Sequence, residues 1–166
     1  MKHPRIDNSK KGFTLVELLI AISIIAILTA LGFSTYQAVY KASRDSKRLS
    51  DLKFIQSGLQ QYHADQKFYP FSVIPDSELS YTNAAGKKFV YLTRVPNDSV
   101  PQPDYTYVAF GTLDCKPGGS CSAVNPAGCI CYCLYTRLEN KGAGQVSDPV
   151  CSSPPDNRLN YGLTRP

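Results

Sequence analysis

The sequence predicts an α+β fold: one long N-terminal α-helix packed against a small antiparallel β-sheet, followed by a disulfide-rich C-terminal region. Three observations predict it. Residues Phe13 to Phe33 form an apolar run whose one charged residue is Glu17. Leu52, Ile55, Leu59 and Tyr62 recur at spacings of three, four and three, the period of one helical face. From Tyr69 onward the chain carries eleven of its twelve prolines and all six of its cysteines, a composition that ends a helix and favours loops and short strands.

The N-terminal element is read as membrane-spanning. Phe13 to Phe33 rises roughly 31 Å at ~1.5 Å per residue, about the hydrocarbon thickness of a bilayer. A secretory signal has a shorter apolar core of about 7 to 15 residues and then a small-residue cleavage site, which Ala30 and Gly32 only imitate. Lys10 and Lys11 abut the run, but Lys41, Arg44, Lys47, Arg48 and Lys53 follow it, so charge bias favours a cytoplasmic N-terminus only weakly. Formal net charge is +5, of which Lys2, Arg5, Lys10 and Lys11 against Asp7 supply +3 within the first twelve residues. The remainder is close to balanced, and nothing in it indicates a nucleic-acid surface.

The helix is expected to continue to about Gln66. No proline interrupts it, and Gly32 and Gly58 are interior defects of about 1 kcal/mol each. The stretch KASRDSKRLSDLK, residues 41 to 53, is polar on most faces and reads as solvated, with Lys47 and Asp51 placed to pair at i, i+4. YTYVAFGTL (Tyr105 to Leu113) and CICYCLYTRL (Cys129 to Leu138) are rich in β-branched and aromatic residues and predict two strands; FVYLTRV (Phe89 to Val95) predicts a third. The sheet they form should cover the helical face Leu52 to Tyr62.

A basic leader ending in Gly12, followed by F-T-L-V-E-L-L-I with Phe13 and Glu17, resembles the class III signal of type IV prepilins and type II secretion pseudopilins. The resemblance implies a type IV pilin-like fold. It also implies cleavage between Gly12 and Phe13 by a prepilin peptidase that methylates the new N-terminus. SKRLSDLKFIQSGLQQYHADQKFYP, closing on Tyr69 and Pro70, is similar to the helix of short-domain pilins and of the major pseudopilin, and YLTRVPNDS to their following loop. Two departures stand out: Asp98 and Ser99 replace the usual aspartate-proline pair, and Ser34 stands where many members have a proline. On this basis the chain divides into a cleaved leader 1–12, a transmembrane and filament-core segment 13–33, an amphipathic half-helix 34–68, and a sheet-and-loop head 69–166. An ordinary anchor with an incidental glutamate is the competing reading of the motif.

Six cysteines, Cys115, Cys121, Cys129, Cys131, Cys133 and Cys151, suit an oxidising compartment. On one strand Cys129, Cys131 and Cys133 would share a face. A metal site completed by Cys115, Cys121 or Cys151 is one reading; three disulfides are the stronger one, because the spacings are not those of zinc ligands. Cys115 with Cys121 is the easiest local pair, and the other pairings stay open. No cofactor or metal is assigned. The major pseudopilins can hold calcium in a C-terminal loop, but acids such as Asp148 and Asp156 are scattered.

An enzyme is not expected. The only histidines are His3 and His63, no serine or cysteine has a recognisable base partner, and no glycine-rich phosphate loop follows a strand. Tyr105, Tyr107, Tyr132 and Tyr135 fit adhesion or base stacking, but are read as ordinary sheet formers. The expected function is that of a structural subunit of a type IV pilus-like or type II secretion pseudopilus filament. It would be a single-pass protein of the cytoplasmic membrane before assembly and extracytoplasmic afterwards. The amine of Phe13 can pair with Glu17 within one helix at i, i+4 or from an incoming subunit; the second, which the resemblance also implies, is favoured and would make Glu17 and Phe13 a subunit-docking site. The implied partners are the prepilin peptidase, an assembly platform with its ATPase, and identical or related pilin subunits. The alternative is a permanently anchored, disulfide-stabilised binding domain that never polymerises; pilus, competence and secretion filaments are not distinguished.

Overall fold

Helix α1 spans Leu15–Gln66, 52 residues. The structure, a computed structural model, describes residues 12–98, 105–113, 115–116, 121–140, 150–151 and 159–164; the leader through Lys11, Ser99, Asp148 and Asp156 lie outside these, as does the side chain of Ser34. Two units are distinguished, Met1–Tyr40 and Lys41–Pro166. In the first, α1 is exposed on every side, and the helix is long and apolar enough to cross a membrane. Its hydroxyls satisfy themselves: Ser23 Oγ donates to the Leu19 carbonyl and Thr29 Oγ1 to the Ile25 carbonyl, both at 2.7 Å. In hydrocarbon this matters, because an unbonded polar group there has no water to turn to.

In the second unit one face of α1 is buried from end to end. It carries Asp45, Arg48, Leu52, Ile55, Leu59 and Tyr62, all less than a tenth exposed. Gln66 is followed by Lys67 in the left-handed region (φ 67°), whose N–H bonds to the His63 carbonyl at 2.8 Å and closes the last turn. The Tyr69 N–H then donates to the Cys129 carbonyl at 2.7 Å, and its ring stacks on His63 and meets Tyr132 edge-on.

Among the described residues five strands follow, in two sheets rather than the single sheet expected. β1 (Leu79–Thr82) and β2 (Lys88–Leu92) form an antiparallel hairpin, and β3 (Thr106–Phe110), β4 (Cys131–Thr136) and β5 (Tyr161–Thr164) form an antiparallel sheet in the order β3-β4-β5. The hairpin turn is built by Asn83, whose Oδ1 accepts the N–H groups of Ala85 and Lys87, and by Gly86 at φ 79°. Pairing skips from Leu79 with Leu92 to Ser80 with Val90. The resulting bulge turns both Tyr91 and Leu92 toward the helix. Tyr91 meets Tyr62 at 5.0 Å between ring centroids and accepts a hydrogen bond from Gln66. Leu92 lies over Gly58, where an added Cβ would come within 2.5 Å of its Cγ. Gly58 is therefore a seat for Leu92, not a tolerated defect.

The stretch read as solvated is also corrected. Arg48 is 3% exposed and bonds Asp98 (Nε to Oδ2, 2.6 Å), Asp45 (3.0 Å) and Glu139 (3.0 Å). Asp45 in turn accepts the backbone N–H groups of Glu139 and Asn140, each at 2.8 Å, and Arg44 forms a two-point pair with Glu139. Asp51 accepts the hydroxyl of Tyr105 at 2.7 Å. Burial alone would lower the affinity of Arg48 for its proton, but the bonds to Asp98 and Glu139 outweigh it and raise it. The hydrogen bond from Arg44, with the charges of both arginines, holds the Glu139 carboxyl at about 2 instead of 4.5.

Two predictions follow from these contacts. A carboxyl whose folded pKa lies below its unfolded one stabilises the fold above the unfolded value and loses that contribution as pH falls. The urea midpoint of the detergent-solubilised protein should therefore drop between pH 4.5 and about 2, and Glu139→Gln should flatten that decline; an unchanged slope would show the pair to be idle. For the seat, Gly58→Ala gains helix propensity of about 1 kcal/mol but overpacks against Leu92 at a cost of about 1 to 3. The net result should be destabilising in the wild-type chain and stabilising in a Leu92→Ala background.

Candidate processing and assembly site

Four residues separate Gly12 from Glu17, the charged residue in the first turn of α1. Gly12, Phe13 and Thr14 precede α1 in non-helical backbone, and Phe13 is 88% exposed. A Cβ built on Gly12 meets nothing within 4 Å among the described residues, so their packing does not ask for glycine there.

The helix begins with a reciprocal cap. Thr14 Oγ1 accepts the Glu17 N–H at 3.2 Å, Glu17 Oε2 accepts the Thr14 N–H at 3.2 Å and the Thr14 hydroxyl at 3.1 Å, and the Thr14 carbonyl takes the Leu18 N–H at 3.2 Å. This is a capping box, with threonine at the N-cap and glutamate three residues on. A carboxylate in the first turn also meets the positive end of the helix dipole. Glu17 thus has a role that the sequence reading missed. The signal was present as T-L-V-E ahead of an apolar run, with Thr14 the unrecognised partner. The contacts found on Glu17 run through Oε2, within its own chain.

The cysteines pair as Cys115 with Cys131, Cys121 with Cys129, and Cys133 with Cys151. Cys115 with Cys121 is therefore not the local pair, and thiolates for a metal site are consumed in the bridges. The shared-face expectation holds for Cys131 and Cys133 but not for Cys129. β4 starts two residues after Cys129, which joins Tyr132 and Leu134 in the core against the helix; Cys131 and Cys133 join Cys115, Cys151, Tyr135 and Leu159 in a second core on the opposite side. Among the described residues no group of three or more histidine, cysteine or acidic side chains is arranged to hold a metal ion. Tyr105, Tyr132 and Tyr135 are buried, and the Tyr107 hydroxyl donates to the Pro70 carbonyl at 2.7 Å, so these rings work inside the fold.

Comparison with known proteins agrees with this geometry. The family model described as the prokaryotic N-terminal methylation motif matches residues 7–33. The type II secretion system core protein G of Escherichia coli (strain K12) is 27% identical over 127 residues, 69% of this chain and 87% of that protein. The fimbrial protein EcpC of Eikenella corrodens is 34% identical over 61 residues, 37% of this chain and 40% of its own length. No solved structure gives a significant match.

The capping box is testable by exchange. Thr14→Val removes both hydroxyl contacts and should cost the helix start about 1 kcal/mol, read as roughly fivefold faster amide exchange at Glu17, with the amides beyond Leu19 unaffected.

Proposed function

We propose, from the premise that the chain belongs to the pilin and pseudopilin family, that its mature form is a filament subunit released from its leader by cleavage between Gly12 and Phe13. The observation that carries the proposal is the placing of that bond: it sits in exposed, non-helical backbone directly ahead of a capped apolar helix. A peptidase needs extended, accessible substrate, and the cap stops the helix from running back over the bond. Because a side chain at position 12 would meet nothing among the described residues, a requirement for glycine there would come from the enzyme's close approach to the backbone.

Assembly then places the apolar helices side by side in the filament core, with other pilin subunits as the partners and the cytoplasmic membrane as the store from which they are drawn. A secretion-system protein and a fimbrial protein are both among the relatives, and the proposal is for the subunit role the two have in common. Glu17 docks an incoming subunit by accepting the cationic α-amine of its Phe13, a group of reference pKa near ~7.7 to 8.0 that methylation leaves charged. The carboxylate has two oxygens, and the capping box uses Oε2; docking falls to the other. No residue is assigned a catalytic role.

One experiment with two variants tests this. Gly12→Leu should fold normally and keep its leader, visible by intact mass, and normal maturation of that variant would sink the processing claim. Glu17→Val should insert and be cleaved, yet enter wild-type filaments at a small fraction of the wild-type rate on co-expression. Equal incorporation would leave Glu17 with the capping role alone. An intact leader on the wild-type mature protein would point instead to a permanent, non-polymerising anchor.

A further inference from the structure

The exposed apolar surface of α1 does not stop at Phe33. Tyr36, Val39 and Tyr40 are 64%, 66% and 53% exposed, and the rings of Tyr36 and Tyr40 stack at 6.1 Å between centroids and 16° between planes, which puts both on one side of the helix. From Phe13 to Tyr40 the run is roughly 42 Å long, whereas hydrocarbon is about 30 Å thick. Only part of it fits, so the chain has a choice of register.

Taking Phe13 to Phe33 as the span puts Glu17 about 6 Å inside the hydrocarbon and leaves two tyrosine rings and a valine in water. Moving the helix toward the cytoplasmic side by about three to four residues relieves both penalties at once. Glu17 and Tyr36 are then about 28 Å apart, one at each boundary. Tyrosine suits such a boundary, since its ring is apolar and its hydroxyl needs headgroups or water. Lys41, the next residue after Tyr40, is exposed and can face lipid phosphates. At the other end the Thr14–Glu17 capping box sits among headgroups, where its polar atoms can also meet water.

We propose that the Tyr36–Tyr40 pair is an interfacial anchor for the outer headgroup layer of the bilayer, and that it sets the helix so that residues 18–35 occupy the hydrocarbon and Glu17 lies at the inner boundary. This rests on the membrane-stored subunit described above. It adds a consequence for assembly: the docking carboxylate is held at the membrane surface, in reach of an incoming amine, not buried beneath it.

The chain contains no tryptophan, so a single substituted tryptophan reports its own depth. Full-length chains carrying Ile22→Trp, Ile27→Trp or Tyr36→Trp would be reconstituted in phosphatidylcholine and phosphatidylglycerol vesicles with nitroxide labels placed shallow or deep on the acyl chain. The proposed register centres on Ile27, so its tryptophan should be quenched by the deep label roughly twofold more than that of Ile22, while the tryptophan at 36 prefers the shallow label. The 13–33 register centres beside Ile22, and deeper quenching there would overturn the proposal while leaving membrane storage intact. In the Ile22→Trp chain, adding Tyr36→Ser and Tyr40→Ser should shift quenching toward the deep label; no shift would deny the pair its anchoring role. A chain that fails to float with the vesicles would overturn the membrane reading, and the anchor with it.

Discussion

The head is organised by a single demand: one face of α1, from Asp45 to Tyr62, has to be covered. Its C-terminal part is apolar and is met by Leu79, Leu92, Tyr132 and Leu134 of the two sheets. Its N-terminal part is charged, and covering it takes a different chemistry, in which Arg48 is held between Asp45, Asp98 and Glu139. Desolvating these groups is expensive, and the arrangement is sustained because every charge has a bonded counterpart. The carboxylate partners come from the segments that follow β2 and β4. The helix thereby fixes where both segments run, and the buried charges supply position more than net stability.

β4 stands at the centre of this arrangement, buried at every residue. Its alternation serves two cores at once, Tyr132 and Leu134 toward the helix and Cys131, Cys133 and Tyr135 away from it. A head of this size has too little apolar material to fill a second core with aliphatic side chains. Cystine does so instead, bulky and apolar once oxidised, and at the same time ties the flanking loops down.

Much of this was legible in the sequence. The period of Leu52, Ile55, Leu59 and Tyr62 marks the helical face directly, and β-branched and aromatic density marks β2, β3 and β4, although the real strands are shorter than the runs that announce them. What escaped depends on partners distant in the chain. Asp45 and Arg48 continue the buried stripe in perfect phase, yet charge reads as surface until Asp98 and Glu139 are seen to close on it. Gly58 reads as a flaw because Leu92 is 34 positions away. β1 and β5 are four residues each, and Gly162 interrupts the second, so neither yields a periodic signal. The Thr14–Glu17 cap is a different case, since its four-residue pattern was in plain view. A charge in an apolar run invited a search for a counter-ion, found in the amine of Phe13, when a neutral partner, Thr14, stood three residues away.

The disulfide pattern has a mechanical consequence. Two covalent loops, from Cys115 to Cys131 and from Cys133 to Cys151, lie end to end with separations of 16 and 18 residues, and the bridge from Cys121 to Cys129 is nested inside the first. If a subunit is pulled between its helix and its C-terminus, those loops cannot pay out, which withholds roughly 120 Å of contour length at ~3.5 Å per residue. In a filament of the kind proposed, tension through a subunit would run across the short Cys131–Cys133 stretch of β4 as through a rivet, and only the chain outside the covalent loops could be drawn out into slack thread.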